Sequence, residues 1–394
     1  QEGGIFQKPF IESTPSYEKI EDGIAKADVS LDTKIFFEKL IEKKLGVFKT
    51  PFKHQIDSLE GFEKGKNLFV STGTGSGKTE CFMGPIIDKL YSEAKNRPYS
   101  WKKRGVRTLI IYPMNALVSD QIARLRSIIG DSQNDFKNIF LASTSGRRPQ
   151  FGMYTGRTPY PGEKIDKKTN HLIAQSYRNS FLIDPSLTPE EQIQKKKDIE
   201  GLVKVHKYPS KNMPAFVEAL ENDCVSGYDN SLDAELLLRF EMQATTPDIL
   251  ITNYSMLEYM LTRPVEAKIF ENTKNWLRLD ESNKLLIVID EAHMYSGASG
   301  GEVALLIKRL FSRIGVSSNK VQFILTSASM PSENEEDHKA IRSFAQDLTG
   351  CPAETFLFLT GDRKTVDWTK KISLDVDSLA NLSLETGVLT EDSI

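Results

Sequence analysis

The sequence predicts an α/β fold: a parallel sheet with helices on both faces. Seven short apolar runs, at residues 67–71, 107–112, 138–142, 248–252, 284–289, 321–326 and 355–359, are each followed by text with helical spacing. Continuous hydrophobic strands alternating with helices belong to a parallel sheet buried on both sides. A glycine-rich run follows the first of these strands, and a pair of carboxylates closes the fifth. The carboxyl ends of such strands are where open α/β sheets gather ligands.

Composition narrows the class. The 394 residues carry 51 Lys and Arg against 54 Asp and Glu, a net charge of -3, and 39% are hydrophobic. That balance suits a globular chain with one sizeable core or two modest ones. It excludes a uniformly cationic surface, so any nucleic-acid site is local. Cys81, Cys224 and Cys351 lie far apart without a C-x-x-C pair, which argues against a disulfide framework and a zinc site. No apolar run approaches the roughly 18 residues of a spanning helix, and the start lacks a signal pattern. A soluble, cytoplasmic protein with no membrane partner is expected. The first residue is Gln1, which suggests an excerpt or a processed piece of something longer.

Taken in order, residues 1–45 read as a polar leader followed by a helix, with Ile35, Phe36, Leu40, Ile41 and Leu45 near helical spacing. A second helix is expected just after Pro51. Residues 46–370 carry the strand and helix alternation. Within them, 158–244 interrupt the rhythm with charge-rich helical text, including Lys167-Lys168 and Lys195-Lys196-Lys197. This stretch reads as a largely helical insertion, and the lysine run as a solvated helix face. Residues 371–394 are polar and weakly patterned, as expected of a linker or the start of another segment.

Two motifs carry the chemistry. Thr72-Gly73-Thr74-Gly75-Ser76-Gly77-Lys78-Thr79 stands between an apolar strand and a helical pattern through Phe82, Ile86, Ile87 and Leu90. In that setting glycines let backbone N–H groups turn around a phosphate, and the helix N-terminus adds partial positive charge. Thr74, Gly75, Ser76 and Gly77 would cradle the β-phosphate, Lys78 would reach the β- and γ-phosphates, and Thr79 would ligate Mg²⁺. Thr72 replaces the first glycine of the general pattern. Asp290-Glu291 closes the strand Leu285-Leu286-Ile287-Val288-Ile289. Asp290 would hold Mg²⁺ through water, and Glu291 would polarise the attacking water, because phosphoryl transfer depends on positioning and charge neutralisation.

Thr72 to Thr79 and Asp290-Glu291-Ala292-His293 resemble motifs I and II of superfamily 2 DEAD/DEAH-box helicases, and further family motifs follow in order. Phe52-Lys53-His54-Gln55 resembles the Q motif, which implies that Gln55 reads adenine, with Phe52 or Phe48 stacking on the base. The segment 108–121, with Pro113 and Asn115, looks like motif Ia. Tyr154-Thr155-Gly156-Arg157 is similar to the Thr-Gly element, and 246–254, with Thr252 and Asn253, to motif Ib. The resemblance implies that these three segments hold nucleic-acid phosphates. Thr326-Ser327-Ala328-Ser329 resembles motif III, with Ser329 where threonine is usual, and implies coupling to nucleic-acid grip through His293.

The resemblance spans residues 45–360 and implies a RecA-like phosphate-loop lobe using ATP and Mg²⁺. Its wording looks most like large bacterial DEAH helicases, a group that includes DNA-repair helicases and components of phage-defence systems such as DISARM and Druantia. DNA is therefore the favoured partner, with RNA left open, and other defence subunits are candidate partners. No Gln-x-x-Gly-Arg-x-x-Arg pattern occurs in the chain, so a second RecA-like lobe is expected to supply the completing arginines. Two alternatives remain: a nucleotide-binding scaffold for a defence complex, and a phosphate-loop switch without nucleic acid.

Overall fold

The computed structural model describes residues 16–73, 75–159, 167–328 and 335–362. Eight strands form one sheet: β1 (Asn67–Ser71), β2 (Thr108–Tyr112), β3 (Phe151–Tyr154), β4 (Glu235–Leu236), β5 (Ile249–Asn253), β6 (Leu285–Ile289), β7 (Val321–Ser327) and β8 (Phe356–Leu359). Their spatial order is β4-β3-β5-β2-β6-β7-β1-β8. Every pair is parallel, so each carboxyl end opens on the same edge of the sheet.

The two-residue period of a strand sorts its side chains between two cores. Leu68, Ile110, Tyr112, Ile249, Ile251, Leu286, Val288 and Ile324 face the first core. That core is roofed by the helices Leu31–Glu42, Lys53–Glu63, Lys78–Asn96, Asn115–Ile128 and Asp135–Ser143. Phe69, Leu109, Ile111, Leu250, Ile287, Ile289, Phe323 and Leu325 face the second. There the helices Tyr254–Thr262, Ala267–Leu279, Ala298–Ile314 and Glu335–Thr349 cover the sheet. Burial on both faces explains why β1, β2, β5 and β6 read as unbroken apolar text.

The helix Leu31–Glu42 begins at Ser30, whose hydroxyl accepts from Thr33 N at 3.2 Å. It buries Phe36 and Phe37, and the Phe36 ring stacks on Tyr91 with centroids 3.9 Å apart. The leader's helix thus belongs to the same core as the sheet. Residues 1–15 and 371–394, which the sequence reads as leader and linker, lie outside the described residues.

One expected strand is a helix. Residues 138–142 fall within Asp135–Ser143, where Phe136 and Phe140 sit four apart and both point into the first core. A short apolar run has no period of its own, and this one packs against Phe36 and Trp101 on a helical spacing. Conversely, β3 and β4 were not anticipated. The stretch 158–244 contains the helices Lys167–Phe181, Pro189–Lys204, Met213–Glu221 and Arg239–Ala244, yet it also returns β4 to the sheet edge. Its helices form a small core of their own around Met213, Phe216, Val217 and Leu220. Pro189–Lys204 buries none of its residues, consistent with a solvated lysine run. Among the described residues no helix is long and apolar enough to cross a membrane, and the three cysteines are free thiols.

Candidate nucleotide and nucleic-acid site

In the sheet order, β7 lies between β1 and β6. The loop after β1, the carboxylates after β6 and the hydroxyls ending β7 therefore meet at one edge. Gly75 and Gly77 have φ of +75° and +72°, the left-handed region that glycine enters freely. A Cβ on Gly77 would lie 2.3 Å from Gln55 Nε2. The close approach has a purpose: Gln55 Nε2 donates to Gly77 O at 3.1 Å, while its Oε1 accepts from Phe52 N at 3.0 Å. His54 Nε2 donates to Ser76 O at 2.8 Å. Burial holds the His54 ring below the usual histidine pKa, which favours the neutral ring. The Thr72 and Ser76 hydroxyls pair at 2.6 Å. Lys78 Nζ donates to Thr72 O and Gly73 O at 3.0 and 3.2 Å, so its ammonium sits inside the loop. Thr79 is half-buried in the first turn of Lys78–Asn96.

Asp290 is 8% exposed. Burial raises its carboxyl above the usual range, opposed by a hydrogen bond from Thr326 Oγ1 and by Lys78. Glu291 follows with φ 51° and ψ 46°, a left-handed backbone that costs a non-glycine residue about 1 kcal/mol. Its Oε2 is buried without a hydrogen bond and lies 3.4 Å from His293 Nδ1. His293 Nδ1 in turn lies 3.3 Å from Ser327 Oγ. The hydroxyls of Tyr112 and Tyr295 are also buried without partners, and Asp290 raises the pKa of both, after burial itself.

A magnesium ion fits this donor set. Magnesium binds through one or two carboxylates, substrate phosphates and water rather than an all-protein cage. Asp290 supplies one buried carboxylate in which burial penalises the charge, and Thr79 supplies a hydroxyl at the loop. Among the described residues no group of three His, Cys, Asp or Glu forms a cage.

The Phe52 ring stacks on His54 at 5.5 Å and lies under Lys19. Phe48, 54% exposed, lines the cleft beside Gln55. The Gln55 amide, expected to read a base, bridges the backbones of the Q-motif segment and the phosphate loop. His54, to which no role was given, holds that loop directly, and its place beside Gln55 was the available signal. Thr74 and Ser329 lie outside the described residues.

The second set of motifs ends β2, β5 and β3, which follow one another outward from β6. Pro113 is half-buried, and Asn115 opens the helix Asn115–Ile128. Gly156 and Arg157 are exposed. Thr155 is buried, and its Oγ1 accepts from Arg157 N at 3.3 Å. Thr252 is fully buried and donates to Tyr154 O at 2.7 Å. Asn253 Oδ1 accepts from Met256 N at 2.8 Å and caps Tyr254–Thr262. Thr252 thus bonds within the sheet, and Thr155 and Asn253 shape the turns. No composition signal distinguishes such turn-holding hydroxyls from contacting ones.

A parallel sheet with a phosphate loop after β1 and paired carboxylates after β6 defines a phosphate-loop α/β domain. The chain matches the DEAD/DEAH box helicase model over residues 52–154 and 210–338, and it belongs to that family. It is 38% identical over 412 residues to the Druantia protein DruE of Escherichia coli (strain UMEA 4076-1), covering 97% of this chain and 21% of that protein. An uncharacterized ATP-dependent helicase of Methanocaldococcus jannaschii is 22% identical over 284 residues, covering 72% of this chain and 26% of that protein. The crystal structure of the DUF1998 helicase MrfA bound to DNA and AMPPNP overlaps with a TM-score of 0.46 at 18% identity, covering 87% of this chain and 30% of that one. The chain spans about a quarter or less of these two curated relatives.

Proposed function

We propose that the chain is the ATP-binding lobe of an ATP-dependent DNA helicase or translocase acting in phage defence. The observation that carries this reading is the convergence of Lys78, Asp290 and Thr326 at the ends of three neighbouring strands, with Ser327 and His293 beside Glu291. The defence role rests on the likeness to the Druantia protein, and the preference for DNA on the sequence resemblance alone.

The loop N–H groups from Gly75 to Thr79 bind the phosphates, and Lys78 exchanges its two carbonyl partners for phosphate oxygens. Thr79 and Asp290 would hold Mg²⁺, which supplies charge neutralisation at the phosphates. Glu291 orients the attacking water and takes its proton, for which its hydrogen-bond-free Oε2 is suited. His293 and Ser327 connect that carboxylate to β7. Gly156, Arg157 and the start of Asn115–Ile128 contact backbone phosphates, a grip that carries no sequence reading.

Glu291→Gln in the full-length protein tests this. DNA-stimulated ATP hydrolysis is expected to fall by about 10²-fold or more while DNA binding persists. Equal rates in the two proteins would return the chain to a nucleotide-binding scaffold.

A further inference from the structure

A cleft of about 410 Å³ opens where the loop after Asn115–Ile128, the approach to β3 and the insertion meet. Gly130 and Asp131 follow that helix, Arg148 stands three residues before β3, and Asp233 two residues before β4. These positions lie at the amino ends of the strands. In a parallel sheet that is the edge opposite the phosphate loop, so the cleft is separate from the ATP site.

Its polar groups are unevenly satisfied. Asp131 accepts from Asp135 N and Phe136 N at 2.8 and 2.9 Å. Asp233 accepts from Lys211 Nζ, Tyr228 Oη and Asn212 N. Both lining carboxylates thus use both oxygens. Of the cations on the wall, Arg126 and Lys211 are ion-paired, and among the described residues two others are not. Arg148 is 5% exposed, and its guanidinium meets only neutral oxygens: Ile129 O at 2.6 Å, Leu232 O at 3.1 Å and Asn134 Oδ1 at 3.5 Å. Its Nε has no hydrogen-bond partner. Neither Arg148 nor Lys137, also on the wall, has a carboxylate within ion-pair distance among the described residues. Burial lowers the Arg148 pKa to about 10, and Asp131 and Asp233 oppose the shift from beyond ion-pair distance.

We propose that this cleft is a second anion site, binding a small phosphate-bearing molecule of mononucleotide size between Arg148 and Lys137. Arg148 would meet a phosphate oxygen by exchanging one of its neutral acceptors for it, and Lys137 adds a point charge. The volume is within the range of small-ligand pockets, roughly 300–1,000 Å³. Because the walls come from both the sheet edge and residues 203–212, a bound ligand would tie the insertion to the lobe.

The test uses this chain carrying Lys78→Ala, which disables the phosphate loop, titrated with pyrophosphate and with AMP. Saturable binding is expected, with slowed amide exchange at residues 130–134 and 206–212. Arg148→Gln or Lys137→Glu on that background is expected to weaken binding at least about tenfold. Lys137 is only half-buried, so Lys137→Glu decides the matter if Arg148→Gln does not fold. Absence of saturable binding to the Lys78→Ala chain, or affinity within about twofold of it in Lys137→Glu, would overturn the proposal.

Discussion

Asp88 lies one face away from the phosphate loop's chemistry, on the helix that the loop begins. It is 4% exposed, Thr33 Oγ1 donates to its Oδ1 at 2.6 Å, and Ser92 Oγ donates at 3.1 Å. Burial outweighs these bonds and raises its pKa from 3.8 to about 6. A carboxyl whose folded pKa is raised binds more protons folded than unfolded across that window. Stability therefore falls as pH rises from about 4 to about 6, and the loss persists above it. Asn in place of Asp88 keeps the acceptor for Thr33 and removes the charge. Asp88→Asn is expected to raise unfolding free energy by roughly 2 kcal/mol at pH 8, with the gain gone near pH 4. Urea unfolding at the two pH values measures this, and a gain that does not shrink on acidification would refute the burial account. The catalytic candidates show the same competition: Asp290 is raised by burial although Thr326 and Lys78 oppose it.

Among the elements, Asp135–Ser143 separates pattern from packing. Its apolar residues form one side of a helix whose Phe140 lies among Phe36, Tyr91, Trp101 and Phe136. Phe140→Ala is expected to cost about 3–5 kcal/mol in denaturant unfolding, and Asn138→Ala, on the exposed side, less than about 0.5 kcal/mol. A strand would alternate differently, so comparable costs at both positions would contradict the helix. The two strands β3 and β4, at one end of the sheet, were illegible for another reason. β3 has four residues and β4 two, too few to show a period. Gly152 in β3 admits the Met242 side chain, whose Sδ would lie 2.4 Å from an added Cβ, a contact visible only in three dimensions.

For the whole molecule, strand order divides labour along one edge. β1, β7 and β6 carry the candidate nucleotide groups, and β2, β5 and β3 the candidate nucleic-acid turns, with β6 and β2 adjacent. The chain contains no Gln-x-x-Gly-Arg-x-x-Arg pattern. Arginines supplied from another lobe contribute about 10³ to 10⁵ in rate in related phosphate-loop enzymes. The 394-residue chain is accordingly expected to bind ATP yet hydrolyse it at least about 10³-fold more slowly than the full-length protein with DNA. Steady-state turnover of the two proteins side by side checks this, and equal DNA-stimulated rates would rule out the need for a second lobe.

The sequence alone determined the sheet class and six of its strands, and it marked the candidate phosphate-loop and carboxylate residues. These signals are local: a buried strand is a run of apolar side chains, and a phosphate loop needs its glycines and lysine in one stretch. What tertiary structure decided is nonlocal. Gln55 and His54 hold the loop across 22 residues, Phe48 rather than Phe52 lines the cleft beside Gln55, and Thr252 turns its hydroxyl inward to Tyr154, 98 residues away. Hydrogen-bond partners are chosen by which strands lie side by side, and strand order leaves no mark on the residues of any single strand.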